Sequence, residues 1–201
     1  MAFQQFTFPQ VLTDLGLTLR DADLFGSIAE DAVSAELGAA IKEGADLATA
    51  ISTEKARSEF VIAPVLMELR RRHPGAFRIF SGVELVADSS RGLNGFCDFL
   101  LTKSPSQHVA TAPILSIVEA KNDNPRYGFG QCIATMVAAG ILNEVEGDIR
   151  NPIYGVATSG SLWRFLTLAD SVVTLDSREY LISDLGKLLA ILGSIVTSFP
   201  K

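Results

Sequence analysis

The sequence predicts a single α/β (α+β) domain on three observations. Apolar runs with the alternation or length of strands are interleaved with stripes of helical spacing along most of the chain. With 201 residues, 48% hydrophobic and 20% charged, the chain is able to bury a substantial core. No glycine-serine or proline-rich linker, internal repeat or low-complexity segment divides it, so residues 1–201 read as one unit.

The elements follow in order. Phe3, Phe6 and Phe8 alternate with polar residues, predicting a short strand or an arm, and AEDAVSAELGAAIKEGADLATAI (29–51) predicts one or two alanine-rich helices. Residues 1–50 thus form an N-terminal accessory segment, fit to cover a sheet edge or serve a partner. Residues 52–72 read as a helix with Ser52 or Thr53 as N-cap, acids in the first turns and a kink at Pro64. Counting by three and four from Glu59 meets Ile62, Ala63, Leu66 and Leu69, which puts Glu59 on the apolar stripe expected to face a sheet; Glu54 shares a different stripe with Ser58, Val61 and Val65. RIFSGVELVAD (78–88) reads as the first strand, and SSRGLNG turns it into GFCDFLL (95–101). The polar stretch KSPSQHVATAP then leads to ILSIVEAK (114–121). GFGQCIATMVAAGIL (128–142) is an apolar helix in which Ala134, Ala138 and Ala139 permit close approach to a sheet and Ile133, Val137 and Ile141 supply bulk. Residues 151–168 read as a strand, a turn at Ser159–Gly160–Ser161 and a returning strand. The C-terminal helix, 184–199, is apolar on nearly every side after Lys187. Such a helix must be buried in its own core or against a second copy, so a homodimer is one expectation.

Three charges enter what should be core: Asp98, Glu119 and Lys121. Alternate residues of a strand share a face, so Glu119 and Lys121 point the same way while Ala120 packs behind them. In a plain antiparallel hairpin opposed positions have a constant sum, and for 98 and 119 that sum is 217. Its centre falls between His108 and Val109, inside the polar connection, so Asp98 is expected to face Glu119. Two carboxylates offer hard oxygen ligands to Mg²⁺, which keeps several waters and takes few protein carboxylates. A lysine beside them serves to orient an attacking water or neutralise charge developing on phosphorus. The same residues also fit an edge strand whose solvated end carries a mutual Glu119–Lys121 pair, with Asp98 capping a turn.

Acid, acid, x, lysine at the ends of adjacent strands resembles the PD-(D/E)xK nuclease superfamily. Asp98 corresponds to the motif aspartate and Glu119-Ala120-Lys121 to the ExK, with Cys97 where the family name has proline. The resemblance spans residues 52–168 and extends to a small bacterial group within the superfamily. It implies a restriction-endonuclease-like core, that is, a central mixed β-sheet flanked by helices. It implies Asp98, Glu119, Lys121 and Gln131 as catalytic residues and Mg²⁺, replaceable by Mn²⁺, held by Glu59, Asp98, Glu119 and Ala120. The activity it implies is metal-dependent phosphodiester hydrolysis of nucleic acid, with DNA the expected partner. Gln131 resembles the glutamine that RecB-like members carry on the helix after the lysine strand, although Thr135 stands where they have tyrosine. Gln131 also suits a first-turn residue satisfying free backbone groups, and Glu59 a boundary acid reaching water. A catalytically silent or partner-gated binding protein on the same fold is the alternative function.

Composition sets outer limits. A net charge of −6 and a pI near 4.9 oppose the basic footprint of a nucleic-acid binder. Arg70, Arg71 and Arg72 either join Arg78, Arg91, Lys103 and Arg126 around a cleft or complement a helix C-terminus. Cys97 and Cys132 make no disulfide framework, and with two distant histidines they lack zinc-site spacing, so they read as small buried hydrophobes. No apolar stretch has bilayer length and Met1–Gln5 lacks the basic start of a signal peptide, so the expectation is a cytoplasmic protein with no membrane partner.

Overall fold

The structure, a computed structural model, describes residues 2–148 and 152–198. Met1, position 151 at the head of the expected strand and position 199 at the end of the expected C-terminal helix lie outside the described residues. In chain order the elements are a 3₁₀ turn (Phe3–Gln5), α1 (Gln10–Leu15), β1 (Thr18–Ala22), α2 (Ala35–Ile51) and α3 (Glu54–Arg57), which runs through a π-helical segment (Ser58–Ile62) into α4 (Ala63–Arg72). There follow β2 (Arg78–Asp88), β3 (Leu93–Thr102), β4 (Ile114–Ala120), α5 (Phe129–Val145), β5 (Ile153–Thr158), β6 (Leu162–Ala169), β7 (Val172–Asp176), β8 (Tyr180–Leu181) and α6 (Leu185–Thr197).

The strands form one mixed eight-stranded sheet in the order β1-β7-β6-β5-β4-β3-β2, with β8 beside β6. The β4–β5 and β1–β7 pairs are parallel and the others antiparallel. Helices cover both faces. On one, Ile62, Leu66 and Leu69 of the second long helix and Leu188 and Leu192 of α6 pack with Phe99, Val118 and Phe165. On the other, Phe129 and Ile133 of α5 and Phe3 and Phe6 of the N-terminal segment pack with Leu100, Ile117 and Leu166. Strand β4 lies between these two layers and is buried at every position, which is why its sequence is a continuous apolar run rather than an alternating one.

Helix α5 is held along the length of β4. Near its C-terminus the Asn143 side chain pairs with both backbone groups of Ile114, accepting from the N–H at 2.7 Å and donating to the C=O at 2.9 Å. The alanines expected to permit close approach, Ala134, Ala138 and Ala139, are all buried. The sheet reciprocates at Gly155, where an added Cβ would fall 2.4 Å from Met136 Sδ.

Some expectations are corrected and others are narrowed to one of their alternatives. The N-terminal phenylalanines form neither a strand nor a free arm: Phe3 opens a 3₁₀ turn, and Phe3 and Phe6 are core residues, because this ring cluster fills the gap between α5 and β3. The alanine-rich region gives one long helix, α2, which buries the stripe Leu37, Ile41, Gly44 and Ala48. Strands β1, β7 and β8 extend the sheet beyond the expected core. Helix α6 is buried in its own core, which removes the need for a second copy to cover it.

The helix over 52–72 departs from the 3.6-residue period. Ala63 N–H bonds to the Ser58 carbonyl, five residues back, so the turn holds an extra residue and the stripe upstream of it rotates. Ile62, Leu66 and Leu69 remain in the core, but Glu59 turns out to solvent. Pro64 sits in the first turn of α4 and cannot donate to the Phe60 carbonyl four residues before it. Gly44 of α2 packs onto that carbonyl so closely that an added Cβ would lie 2.1 Å from the oxygen. Gly44→Ala should therefore destabilise the protein by about 1–3 kcal/mol through overpacking. At Gly38, in the same helix, an added methyl would meet nothing within 4 Å, and substitution by alanine there should stabilise the protein by about 0.5–1 kcal/mol. Urea melts of the two variants check this; equal shifts would contradict it.

Candidate functional site

The β3–β4 ladder pairs Phe99 with Val118, Leu100 with Ile117 and Leu101 with Ser116, all on the sum of 217, and its bulge lies toward the loop, between Leu101 and Thr102. One further step in that register brings Asp98 beside Glu119. There the side chain takes over from the ladder, and Asp98 Oδ2 accepts the Ala120 N–H at 2.7 Å. The end of β4 is tied to β5 by Lys121 N–H donating to Thr158 O at 2.7 Å.

Glu119 is fully buried and points at the first turns of α5. Gln131 Nε2 donates to its Oε2 at 2.7 Å, and Thr135 Oγ1 lies 3.5 Å from its Oε1. The other end of the same amide, Gln131 Oε1, accepts from Lys121 Nζ at 3.1 Å. Asp98, Glu119, Lys121 and Gln131, singled out separately in the sequence, thus meet in one hydrogen-bonded group. Gln131 spends its amide on the acid and the lysine rather than on the backbone of its own helix. Glu119 is no solvated strand end.

Burial drives the Glu119 carboxyl well above the ordinary glutamate range, the Asp98 carboxylate adds to that, and a hydrogen bond between the two carboxyl groups favours the protonated form. Lys121 and Thr135 pull in the other direction without prevailing. The two thiols of this layer follow the same rule. Burial pushes Cys97 up to about 12 and Cys132 upward as well, with Glu119 contributing to both, so neither sulfur carries thiolate character at neutral pH. They are the small buried hydrophobes expected of them.

A cleft of about 410 Å³ opens beside Asp98, lined by Phe99, by Ser81 and Gly82 of β2, and by Glu54, Lys55, Ser58, Glu59 and Ala63 of the facing helix. Glu59 thus shares a cleft with Asp98, but its carboxylate pairs with Lys55 at 2.7 Å and its side chain is 51% exposed. The basic cluster is elsewhere. Arg71 and Arg72 ion-pair with the buried Glu68 at 2.6 and 3.0 Å, and Arg72 also reaches Ala32 O. Burial alone would push Glu68 upward, yet hydrogen bonds from Arg72, Ser34 and Arg71 outweigh it and hold the carboxyl low. Arg71 and Arg72 are thus structural, and Lys55 is the cation among the described residues lining the cleft.

Two participants were given no place in the site by the sequence, although Thr135 stands where RecB-like members have tyrosine. Thr135 follows Gln131 by one helical turn, the spacing that brings side chains to one face, and would have been found by asking what else that face offers Glu119. Arg57 bonds Asn122 Oδ1 at 3.3 Å and Ser159 O at 3.0 Å, joining α3 to the loop after Lys121 and to the β5–β6 turn. No local pattern announces partners so distant in sequence.

Set against known proteins, the chain matches no protein-family model, no curated protein and no solved structure. Its geometry alone carries the functional reading. Among the described residues, no three His, Cys, Asp or Glu side chains come together as a metal-holding group, and no helix is long and apolar enough to cross a membrane. The carboxyl oxygens at the convergence are those of Asp98 and Glu119, while Glu54 and Glu59 line the cleft beside Asp98. Ala120 has only its carbonyl to add.

Because Glu119 is protonated in the folded chain at pH values where the unfolded chain has it ionised, the folded state binds the extra proton. Its contribution to stability is therefore complete below about pH 4 and is lost as pH rises toward the folded-state value. Glu119→Gln keeps the acceptor for Gln131 and a donor for Asp98 but does not titrate. The variant should gain stability over the native chain by up to about 1.4 kcal/mol for each pH unit above that point. Thermal melts of both proteins without added metal, from pH 4 to 8, test this; a constant difference across the range would contradict it.

Proposed function

We propose that the chain is a metal-dependent phosphodiesterase acting on nucleic acid, DNA first, with a restriction-endonuclease-like core of the PD-(D/E)xK type. The observation that carries the reading is the convergence of Asp98, from the middle of β3, with Glu119 and Lys121 at the end of β4, cross-linked by Gln131 from the following helix. The donor chemistry fits a hard divalent cation: two carboxyls stand side by side at the site, and Mg²⁺ takes few protein carboxylates and completes its shell with water and phosphate. Asp98 and Glu119 would hold it, with the Ala120 carbonyl and, after release from Lys55, Glu59 as further donors. Bound there, Mg²⁺ or Mn²⁺ would polarise the phosphoryl oxygen and lower the pKa of a water.

The chain's own groups divide the remaining work. Lys121 brings a positive charge beside the acids, suited to orienting the attacking water and to offsetting charge developing on phosphorus. Gln131 keeps the ammonium within reach of Glu119 while donating to the carboxyl itself. Holding a cation would call for the ionised form of Glu119, which its burial opposes.

A second reading has its own support. Glu59 is engaged with Lys55 and Glu119 is sealed from solvent, an arrangement equally suited to a silent or partner-gated protein on the same scaffold. Metal titration separates the two. Mn²⁺ or Mg²⁺ at a hundred times its dissociation constant should stabilise the native chain by about 2.7 kcal/mol and leave Asp98→Ala unmoved. Plasmid, linear, single-stranded and branched substrates should be cut in the presence of either ion by the native chain and not by Lys121→Ala. Metal binding without cutting supports the gated reading, and no metal-dependent stabilisation rules out the nuclease.

A further inference from the structure

Lys121 reaches Gln131 along a path with no spare width. Gly128 is the residue from which α5 starts, and a Cβ placed on it would lie 3.0 Å from Lys121 Cγ, 3.2 Å from Lys121 Cε and 3.6 Å from the Cβ of Ala157. The lysine stem occupies the space that any side chain at 128 would need. Backbone geometry does not ask for glycine here. Gly128 has φ −85° and ψ −11°, a right-handed conformation open to every residue. What the position requires is room beside the lysine.

Neither neighbour can yield in the lysine's place. Ala157 is fully buried in the α5 layer, and the Lys121 backbone is fixed to Thr158 O at 2.7 Å. A methyl at 128 would therefore be relieved by shifting the flexible lysine stem by a few tenths of an ångström, at small cost to the fold, and the 3.1 Å bond from the ammonium to Gln131 Oε1 would be disturbed.

We infer that Gly128 is a positioning residue for Lys121: its missing side chain is what lets the ammonium reach Gln131 Oε1, and through that amide the buried acid. The inference rests on the reading of Lys121 as the lysine of the proposed nuclease site.

The test is Gly128→Ala, compared with the native chain and Lys121→Ala by thermal melting, by ¹⁵N NMR of the Gln131 side-chain amide and by cleavage with Mn²⁺. The expected result is a folded variant melting within about 4 °C of the native chain. Its Gln131 amide signals should move in the direction seen in Lys121→Ala, and cleavage should fall, by less than the roughly hundredfold loss of a reacting group displaced by about an ångström. Gln131 signals at their native positions overturn the inference. So does a variant that fails to fold, because the methyl would then have displaced the framework and not the lysine. A native chain that cuts nothing removes the nuclease reading alone, and the amide signals still decide the role of Gly128.

Discussion

Strand β4 carries the Glu119 carboxyl to a position without solvent contact, where an isolated charge would cost several kcal/mol. The molecule meets that cost with a proton, a hydrogen bond from Gln131 and a second carboxyl close enough to share the proton. Those partners fix much else. Gln131 reaches Glu119 only if the start of α5 lies over the end of β4, and Asn143 fastens the far part of the helix to the strand's beginning. With α5 so placed, small residues on the helix and Gly155 on β5 become steric necessities. The parallel β4–β5 pair follows from the same geometry, since the chain must cross the sheet by this helix before it returns.

Much of this was legible from local pattern. Strand β2 runs over the residues expected of it, and the hairpin arithmetic gave the β3–β4 register because the bulge falls on the loop side of the site and leaves the pairing near Asp98 undisturbed. The sheet's other half was not legible. Strand β1 is Thr-Leu-Arg-Asp-Ala, with no apolar face to announce it, and it pairs only with β7 near the other end of the chain. Glu59 failed as a sheet-facing residue because periodicity assumes an unbroken α-helix, and the π-helical turn before Pro64 adds a residue that no count by three and four foresees. The arginine run was legible as chemistry but not as place. Its partner Glu68 lies within the same helix, where the expected apolar stripe would not have put a buried acid.

The N-terminal segment belongs to the site layer rather than to its surroundings. An added Cβ on Gly130 would fall 2.2 Å from Phe6 O, so the backbone of this segment lies directly on the first turn of α5, one residue from Gln131. Phe8 meets Phe129 edge-on at 5.5 Å, and Arg126 stands over Phe8 at 5.8 Å. The segment thus braces the helix start whose orientation aims Gln131, a role that amounts to more than covering an edge.

The parallel pairing of β1 with β7 also orders events in time. Arg20 and Thr174, joined side chain to side chain, stand 154 residues apart. During synthesis β1 emerges well before β7 and waits unpaired until the residues between them have followed, and closing so long a loop is slow. Four of its five residues are solvent-exposed even in the finished fold. The polarity that hid this strand from pattern reading is what keeps it from pairing with other nascent chains while it waits.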